Sequence, residues 1–354
     1  MRGWTGQGFT RRPGAVGWGF PMGVLFMMGV LLGCGRDDVE GSQERAMVED
    51  ASAVEEGQDL ERGQAAERGG SDWVLLRERL TRRLAEEGDS IHIGIAVLDM
   101  ETGRSLEMNA ERVFHAASTM KVPVLLEWYR QSELGIRSLD EGVRVHNRFR
   151  SVYDGSEFVL DEDVDEGLID ALGQELPARR IAEGMIQVSS NLGTNILLEL
   201  LTADSVQATM ARIGAPEMQV LRGVSDIPAF EAGLSNRTTA RAYLRVLEAI
   251  ARCEVTSQAS CDEMMEILEG QEFRSEIPAG IPDSALEAGT RVGNKTGSIT
   301  RILHDGAIVQ PTGRAPYLVV TLSEGYEDKD HGSRTLSDLS GIIWDTLMEE
   351  EPNP

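Results

Sequence analysis

The order of hydrophobic patterns along the chain is the feature that most constrains its fold. An amphipathic helix is predicted from Val74 to Glu87, and strands follow from Ile91 to Asp99 and from Ser105 to Met108. A block of mainly helical periodicity then runs from Ser118 to about Gly270. Its clearest helices are predicted at Val122–Gln131, Arg179–Val188, Asn195–Leu201, Ser205–Ile213 and Thr238–Ala251.

Strand patterns return only late in the chain. Short strands bounded by Gly or Pro are predicted at Arg291–Ser298, Ala307–Val309 and Tyr317–Leu322, and a helix from Leu336 to Met348 follows them. This order predicts an α+β fold, in which a mainly antiparallel sheet is flanked by the terminal helices and carries an inserted all-helical lobe. The cleft between sheet and lobe is the expected place for a functional site.

The N-terminal segment has the pattern of an export signal. Residues 1–33 combine early arginines with an apolar run from Gly23 to Gly33, which is typical of a secretory signal peptide. An uncleaved membrane anchor is the alternative. The run ends in Leu31-Leu32-Gly33-Cys34, which resembles the bacterial lipobox and predicts lipid modification of Cys34. We therefore expect an exported protein, periplasmic or at the cell surface, with its N-terminus tethered to a membrane.

Residues 34–72 predict an acidic, disordered tether. They are rich in acidic and small residues and contain no aromatic one, so they cannot bury enough apolar surface to order themselves. The folded domain is therefore expected at 73–354. Its length suits one large domain or two interleaved subdomains.

The charge of the chain argues against a nucleic-acid partner. Lys plus Arg number 34 against 59 for Asp plus Glu, which gives a net charge of -25 and repels polyanions. Lysine occurs only at Lys121, Lys295 and Lys329. Because lysine can lose its proton when buried near other cations whereas arginine stays charged, two lysines inside candidate motifs call for a chemical explanation.

The first of these motifs is Ser118-Thr119-Met120-Lys121, where an extended segment gives way to a predicted helix. Ser118 and Lys121 would lie one turn apart on the same face, so that serine and amine could touch. A hydroxyl needs an adjacent base to act as a nucleophile, and a lysine whose pKa is lowered by burial and positive charge can supply it.

Two further motifs support a shared site. Lys295-Thr296-Gly297-Ser298 falls in a predicted strand, where the glycine permits close backbone approach and the lysine adds a second positive charge. A P-loop is excluded there, because no long Gly-rich loop precedes a helix. Ser189-Ser190-Asn191 precedes the helix that holds Asn195, and its hydroxyl and amide groups suit proton relay and substrate binding.

Together, in this order, the three motifs resemble the Ser-x-x-Lys, Ser-Asp-Asn and Lys-Thr-Gly pattern of the serine β-lactamase and penicillin-binding-protein superfamily. The class A β-lactamases are the most similar branch. The resemblance covers about Trp73 to Glu349 and includes the strand Ile93–Asp99 and the lead-in Phe114–Ala117. It implies the β-lactamase/transpeptidase-like fold and a serine hydrolase without metal or organic cofactor.

The resemblance also implies roles for individual residues. Ser118 would be acylated, Lys121 would be a base or proton relay, and Ser189 would pass a proton to the leaving nitrogen. Asn191 would hold the amide side chain of the substrate. The substrate carboxylate would be bound by Lys295, Thr296 and Ser298, and the oxyanion by the backbone N–H groups of Ser118 and Ser298.

Two departures from the family pattern stand out. Ser190 replaces an aspartate that braces the loop, so we expect an effect on geometry more than on chemistry. The glutamate that activates the deacylating water in class A enzymes has no clear counterpart. Asp226 and Glu231 are the candidate carboxylates. If neither reaches the site, acylation can occur while release is slow.

The sequence thus predicts an enzyme that opens a β-lactam or related amide through an acyl-enzyme on Ser118. A D,D-peptidase or other cell-wall hydrolase with slow deacylation is one alternative, and a catalytically silent envelope binding module is another. The expected partner is a small-molecule β-lactam or a cell-wall peptide. The sequence gives no indication of oligomeric state.

The remaining cysteines and histidines suggest structural roles. Cys253 and Cys261 lie close together in the chain, and export to an oxidising compartment favours a local disulfide between them. Free thiols are the alternative, because sequence alone does not show whether the two side chains point toward each other. No metal-ligand spacing such as CxxC or HExxH occurs. His304-Asp305 is interpreted as a structural pair, because no Gly-x-Ser-x-Gly elbow accompanies it.

Overall fold

The computed structural model describes residues 72–349. The predicted signal peptide, Cys34 and the tether before residue 72 lie outside these residues. Within residues 72–349, no helix combines the length and apolar character needed to cross a membrane.

An antiparallel sheet forms the centre of the described domain. Its strands are β1 (His92–Asp99), β2 (Ser105–Met108), β9 (Arg291–Ile299), β10 (Ile302–Gln310) and β11 (Tyr317–Glu324). They lie in the order β2-β1-β11-β10-β9, and every neighbouring pair is antiparallel. The early strands therefore pair with the late ones, as the order of sequence patterns predicts.

Helices cover both faces of this sheet. The helix α1 (72–84) and the helix α11 (Lys329–Met348) share a buried apolar cluster with Ile95 of β1. Ala96, the next residue of β1, belongs to a second apolar cluster on the opposite face of the sheet, because successive side chains of a strand point to opposite sides. With both faces covered, β1 is buried over almost its whole length.

The helical lobe is inserted between β3 (Phe114–His115) and β9. Its helices are α2 (Lys121–Glu133), α3 (Glu166–Asp170), α4 (Ala178–Gln187), α5 (Asn191–Leu201), α6 (Ala203–Arg212), α7 (Ile227–Glu231), α8 (Ala240–Ala251) and α9 (Gln258–Glu269). A short helix α10 (Asp283–Glu287) leads to β9. The predicted α+β class, antiparallel sheet and inserted helical lobe are confirmed.

Short ladders interrupt the block that was predicted to be mainly helical. They pair β4 (Gly142–Arg144) with β7 (Glu175–Pro177), β5 (Arg148–Arg150) with β6 (Glu157–Val159), and β3 with β8 (Arg237–Thr238). Strands this short present too few alternating residues to give a periodic signal.

Several predicted boundaries were wrong, and two of them have identifiable reasons. The strand predicted at Ala307–Val309 starts earlier, because the polar His304 and Asp305 that break its apolar pattern are buried and hydrogen-bonded. The last helix begins at Lys329 rather than Leu336, where Asp328 accepts a hydrogen bond from the helix N-terminus. The first helix ends at residue 84 rather than at Glu87.

The structure pairs Cys253 with Cys261 as a disulfide. Cys253 follows α8 and Cys261 lies within α9, so the bond joins consecutive helices of the lobe. Their Cα atoms are 5.8 Å apart, within the usual range for a disulfide.

Candidate active site

Ser118 lies in a short 3-10 turn, Ala117–Met120, that runs directly into α2. Ala117 has φ +46°, a left-handed conformation that is costly for a residue other than glycine. The ring of His115 secures this conformation, since its Nδ1 accepts a hydrogen bond of 2.9 Å from the Ala117 backbone nitrogen.

Strand β9 packs tightly against this turn. A Cβ atom added to Gly297 would lie 3.2 Å from the Ser118 backbone nitrogen and 3.1 Å from Thr119 Cγ2. Glycine therefore allows the Lys-Thr-Gly strand to approach the nucleophile segment more closely than a larger residue would. Two of the three predicted motifs meet at this contact.

The third motif joins them through Ser189. Lys121 Nζ and Lys295 Nζ each lie 3.1 Å from Ser189 Oγ. Lys121 Nζ also lies 2.6 Å from the Ser189 carbonyl oxygen and 2.9 Å from Asn191 Oδ1. Both lysine side chains are fully buried. The structure thus brings residues from all three motifs together.

The position of the lysines differs from the sequence prediction in one respect. Ser118 and Lys121 were expected to touch, but no hydrogen bond joins Ser118 Oγ to Lys121 Nζ among the described residues. The hydroxyl that lies between the two amines is that of Ser189. The Lys121 side chain extends toward the start of α5, where its N–H groups donate hydrogen bonds to the Ser189 carbonyl oxygen and to Asn191 Oδ1.

Burial changes the protonation of both lysines. It lowers the pKa of Lys121 well below its ordinary range, and the positive charge of Lys295 lowers it further, while Asp163 opposes the shift. Burial also lowers the pKa of Lys295 to about 7, against the opposing charges of Asp305 and Glu276. The burial of Lys121 and the charge of Lys295 therefore favour the uncharged form of the Lys121 amine.

An uncharged amine fits the hydrogen bonds around Lys121. It has two N–H donors and one lone pair. The Ser189 carbonyl and Asn191 Oδ1 only accept, so they take the two donors, and the lone pair is left facing Ser189 Oγ. Lys121 can then accept a proton from a hydroxyl, which is the chemistry a base or relay requires.

A carboxylate that the sequence analysis missed holds the start of α5. Asp163 Oδ2 accepts hydrogen bonds of 2.8 Å from the backbone nitrogens of both Asn191 and Leu192. Ser190 caps the same helix by accepting from Gly193 N at 2.8 Å. Ser190 lacks the carboxylate of the family aspartate, but Asp163 supplies one at the same helix end.

Ser118, Asn191 and Ser298 line a cleft with a volume of about 340 Å³. Ser298 is exposed and Ser118 and Asn191 are half-buried, so all three can meet a ligand. Thr296 is buried in β9 and does not line this cleft. The facing wall is a loop, residues 219–237, which the sequence analysis treated only as a source of candidate carboxylates.

Two buried asparagines fasten this loop. Asn195 exchanges hydrogen bonds with Val224, donating to its carbonyl at 2.9 Å and accepting from its nitrogen at 2.7 Å. Asn236 accepts from the backbone nitrogens of Leu221 and Arg222 and donates to the Arg222 carbonyl at 3.0 Å. The hydrogen bonds of Asn195 and Asn236 therefore hold the loop that forms this wall of the cleft.

Neither candidate deacylating carboxylate reaches the cleft. Asp226 is buried as the N-cap of α7, where it accepts from Ala229 N and Val152 N. Glu231 is exposed at the other end of α7. Among the described residues that line the cleft there is no aspartate or glutamate. His115 does line it, but Ala117 N occupies its Nδ1 lone pair.

His304 and Asp305 have separate structural partners. His304 Nδ1 accepts from Ser323 N at 3.0 Å, and its Nε2 donates to the His115 carbonyl at 2.8 Å. Asp305 accepts from Asn294 Nδ2. Both are fully buried, and neither lines the cleft.

Replacing His304 with glutamine is expected to flatten the dependence of stability on pH between about 4 and 6.5. Burial lowers the pKa of His304 to about 4, whereas unfolded histidine titrates near pH 6.5. Between these values the unfolded chain binds a proton that the folded chain does not, so stability falls as pH falls. The loss amounts to about 3 kcal/mol at most for this group.

Urea unfolding at several pH values checks this expectation. His92→Gln provides the control, because His92 is only half-buried at the start of β1. Parallel stability curves for wild type and His304→Gln would contradict the assignment of His304 as a buried neutral ring.

No group of three histidine, cysteine, aspartate or glutamate side chains within residues 72–349 has the arrangement of a metal site. The polar groups around Ser118 are hydroxyls, amines and amides. The chemistry they can support is proton transfer and the binding of an acyl group and its charges.

Known proteins share this architecture. A family model described as the beta-lactamase enzyme family matches residues 75–347. PBP-A is 21% identical with a TM-score of 0.66, over 77% of this chain and 96% of that one. A PBP-A mutant, solved as an acyl-enzyme complex with penicillin-G, is 20% identical with a TM-score of 0.62, over 78% and 97%.

A beta-lactamase from Sphaerobacter thermophilus is 22% identical with a TM-score of 0.62, over 79% of this chain and 99% of that one. No curated protein sequence matches the chain. These structural similarities establish the fold, and the family model covers nearly all of the described residues. The chain therefore belongs to the beta-lactamase enzyme family.

Proposed function

We propose that this protein opens a β-lactam, or a related amide of a cell-wall peptide, and forms an acyl-enzyme on Ser118. The observation that carries the proposal is the convergence of Lys121 and Lys295 on Ser189, beside the cleft that Ser118 and Ser298 line. A nucleophilic hydroxyl, an uncharged buried amine and a second hydroxyl are the groups that serine acyl transfer needs.

The proposed reaction begins with proton transfer from Ser118 Oγ to Lys121. The oxygen attacks the amide carbon, and the negative charge on the carbonyl oxygen is stabilised by the backbone N–H groups of Ser118 and Ser298. The C–N bond then breaks, and Ser189 passes its proton to the leaving nitrogen while Lys121 returns one to Ser189. Catalytic hydrogen bonds often tighten only when substrate binds, so Ser118 and Lys121 need not touch in the free enzyme.

Lys295 and the half-buried Asn191 supply the proposed binding contacts. Lys295 brings positive charge to the β9 side of the site, which favours a substrate with a carboxylate beyond the leaving nitrogen. Asn191 lines the cleft and has an amide suited to the acyl side chain. Ser298 extends the carboxylate contacts from β9 in this proposal, whereas Thr296, predicted to share them, does not line the cleft.

Release of the acyl group is proposed to be slow. Deacylation requires a base for the attacking water, and no carboxylate is among the described residues of the cleft. The Nδ1 lone pair of His115 is occupied, and Arg222 stays protonated. This favours a penicillin-binding hydrolase of the D,D-peptidase type over a rapidly hydrolysing class A β-lactamase.

Incubation with benzylpenicillin is expected to give a protein adduct of one penicillin mass that persists after the free penicillin is removed. Intact-mass spectrometry follows the adduct, and Ser118→Ala is the control that should remain unlabelled. A transient adduct with continued turnover of a chromogenic cephalosporin would support a β-lactamase instead. Complete absence of an adduct in the wild type would contradict the proposal and favour a silent binding module.

We also propose that the protein is exported and anchored through a lipid on Cys34. The pattern of residues 1–33, with the lipobox-like end Leu31-Leu32-Gly33-Cys34, supports this. Cell-wall peptides and β-lactams are found in that compartment, so the location fits the proposed substrate class.

A further inference from the structure

Arg222 is a buried cation in the wall of the active-site cleft. It is 8% exposed, and it lines the cleft together with Ser118 and Ser298. It also lines a neighbouring cavity of about 220 Å³ whose walls include Phe149 and Phe158. Arg222 therefore lies where the catalytic cleft and this second cavity adjoin.

No carboxylate among the described residues forms a hydrogen bond or ion pair with the guanidinium of Arg222. Its Nη1 donates to the Gly223 carbonyl at 2.8 Å, while its Nε is buried without a hydrogen-bond partner. Asp226 lines the second cavity with Arg222 and attracts the guanidinium electrostatically, but its oxygens accept from Val152 N and Ala229 N and form no ion pair with Arg222. The guanidinium thus has a negative charge nearby but no carboxylate in contact, and a buried N–H group without an acceptor is unfavourable unless a ligand supplies one.

The position of Arg222 is firmly set by its neighbours. Asn236 holds its backbone through both the nitrogen and the carbonyl oxygen. The guanidinium lies over the ring of Phe230, with 5.2 Å between Cζ and the ring centroid. That contact is attractive but leaves the in-plane N–H groups without a full set of acceptors. Such an arrangement is preorganised to bind a planar anion.

We propose that Arg222 binds a carboxylate on the acyl portion of the substrate, which makes it a specificity-determining residue of this site. The proposal rests on the proposed function of the Ser118 cleft. The substrate class is then an amide with two anionic groups: one beyond the leaving nitrogen, held on the β9 side by Lys295, and one on the acyl side, held by the loop.

The location of Arg222 on the loop supports this division. Asn191, proposed to hold the acyl side-chain amide, lines the same cleft as Val224 and Arg222. Lys295 approaches from β9 and contacts Ser189. Arg222 and Lys295 thus approach the site from different elements, the loop and β9, so a ligand that pairs with both cations carries a negative charge at each end.

Equilibrium binding to the Ser118→Ala protein tests the proposal without the chemistry. The probes are benzylpenicillin and carboxybenzylpenicillin, which differ by one carboxylate on the acyl side chain. Adding Arg222→Gln is expected to raise the Kd for carboxybenzylpenicillin about tenfold or more, since one charge-assisted contact is lost. The Kd for benzylpenicillin should change by less than about twofold.

Arg237→Gln is the matched control, because Arg237 is an exposed arginine of the same loop that does not line the cleft. It should leave both affinities within about twofold of the starting protein. Arg222→Lys should recover part of the preference, since it keeps the charge but loses the planar fork. Urea unfolding of each variant shows whether the loop substitution has altered folding.

The outcomes separate this inference from the proposed function. Equal loss of both penicillins on Arg222→Gln, an equal effect of Arg237→Gln, or no binding of carboxybenzylpenicillin would overturn the role of Arg222. Failure of the wild type to form an adduct would contradict only the proposed acylation of Ser118. A charge preference that depends on Arg222 would then still stand as a property of the cleft.

Discussion

Replacing Lys121 with arginine is expected to slow the acylation of Ser118 by benzylpenicillin about 10³-fold, within the range that loss of a general base produces. The Lys121 amine can be uncharged, because burial and the charge of Lys295 lower its pKa well below the ordinary range. A guanidinium keeps its proton near neutral pH and cannot accept the Ser118 proton. The rate of adduct formation, followed by quenched intact-mass spectrometry, measures the effect.

Lys329→Arg provides a matched control for this substitution. Lys329 is exposed at the start of α11, so the same chemical change there should alter the acylation rate by less than about twofold. Lys121→Met keeps a similar side-chain length without a charge, and it should also be inactive if the amine is the base. Acylation by either Lys121 variant at nearly the wild-type rate would show that another group removes the proton.

The pH dependence of acylation gives a second test of the same role. Protonation of Lys121 removes its lone pair, so the wild-type rate should fall as the pH is lowered through the pKa of this amine. Because that pKa is well below the ordinary lysine range, the rate should level off at a lower pH than an ordinary lysine base would allow. A base with an ordinary lysine pKa would instead give a rate that keeps rising through alkaline pH.

The sheet was predictable because its strands carry strong local patterns. Strands β1, β9 and β11 are buried on both faces, and the two terminal helices are amphipathic. Other elements were harder to predict from the sequence, because polar residues interrupt their apolar pattern. The start of β10 is an example, since His304 and Asp305 are buried there only because the fold supplies their hydrogen-bond partners.

The part of the site that lies within short sequence motifs was predictable. Ser118, Lys121, Ser189 and Lys295 lie in short motifs, and the structure brings the two lysines to one hydroxyl. Partners contributed by distant loops leave no such signal. Asp163 is 28 residues from Asn191, whose backbone it holds, and an aspartate in an acidic loop has no distinguishing pattern.

Arg222 was passed over for a related reason. In a chain where 31 of the 34 basic residues are arginine, one more arginine attracts no notice. Its significance depends on burial and on the absence of a paired carboxylate among the described residues, and both are properties of the folded loop. Asp226 likewise looked like a candidate base until its backbone partners showed it to be a helix cap.

Introducing a carboxylate into the cleft by Ile227→Glu is expected to speed release of the acyl group about 10²-fold, the lower end of what general-base catalysis contributes. Ile227 lines the cleft and is 55% exposed, so a longer polar side chain can be accommodated without burying a charge. A carboxylate there could accept a proton from the attacking water. The measurement is the decay of the preformed penicillin adduct after free penicillin is removed.

Ile227→Gln separates the base from the change in size and polarity, because glutamine has nearly the same shape but cannot accept the proton. Ala232→Glu places the same charge on an exposed residue just after α7, outside the cleft. Only Ile227→Glu should shorten the lifetime of the adduct. If all three adducts decay as slowly as the wild-type adduct, the missing carboxylate is not what limits release. Access of water to the acyl group would then be the step to examine, since the hydrogen-bonded loop that faces Ser118 covers it from one side.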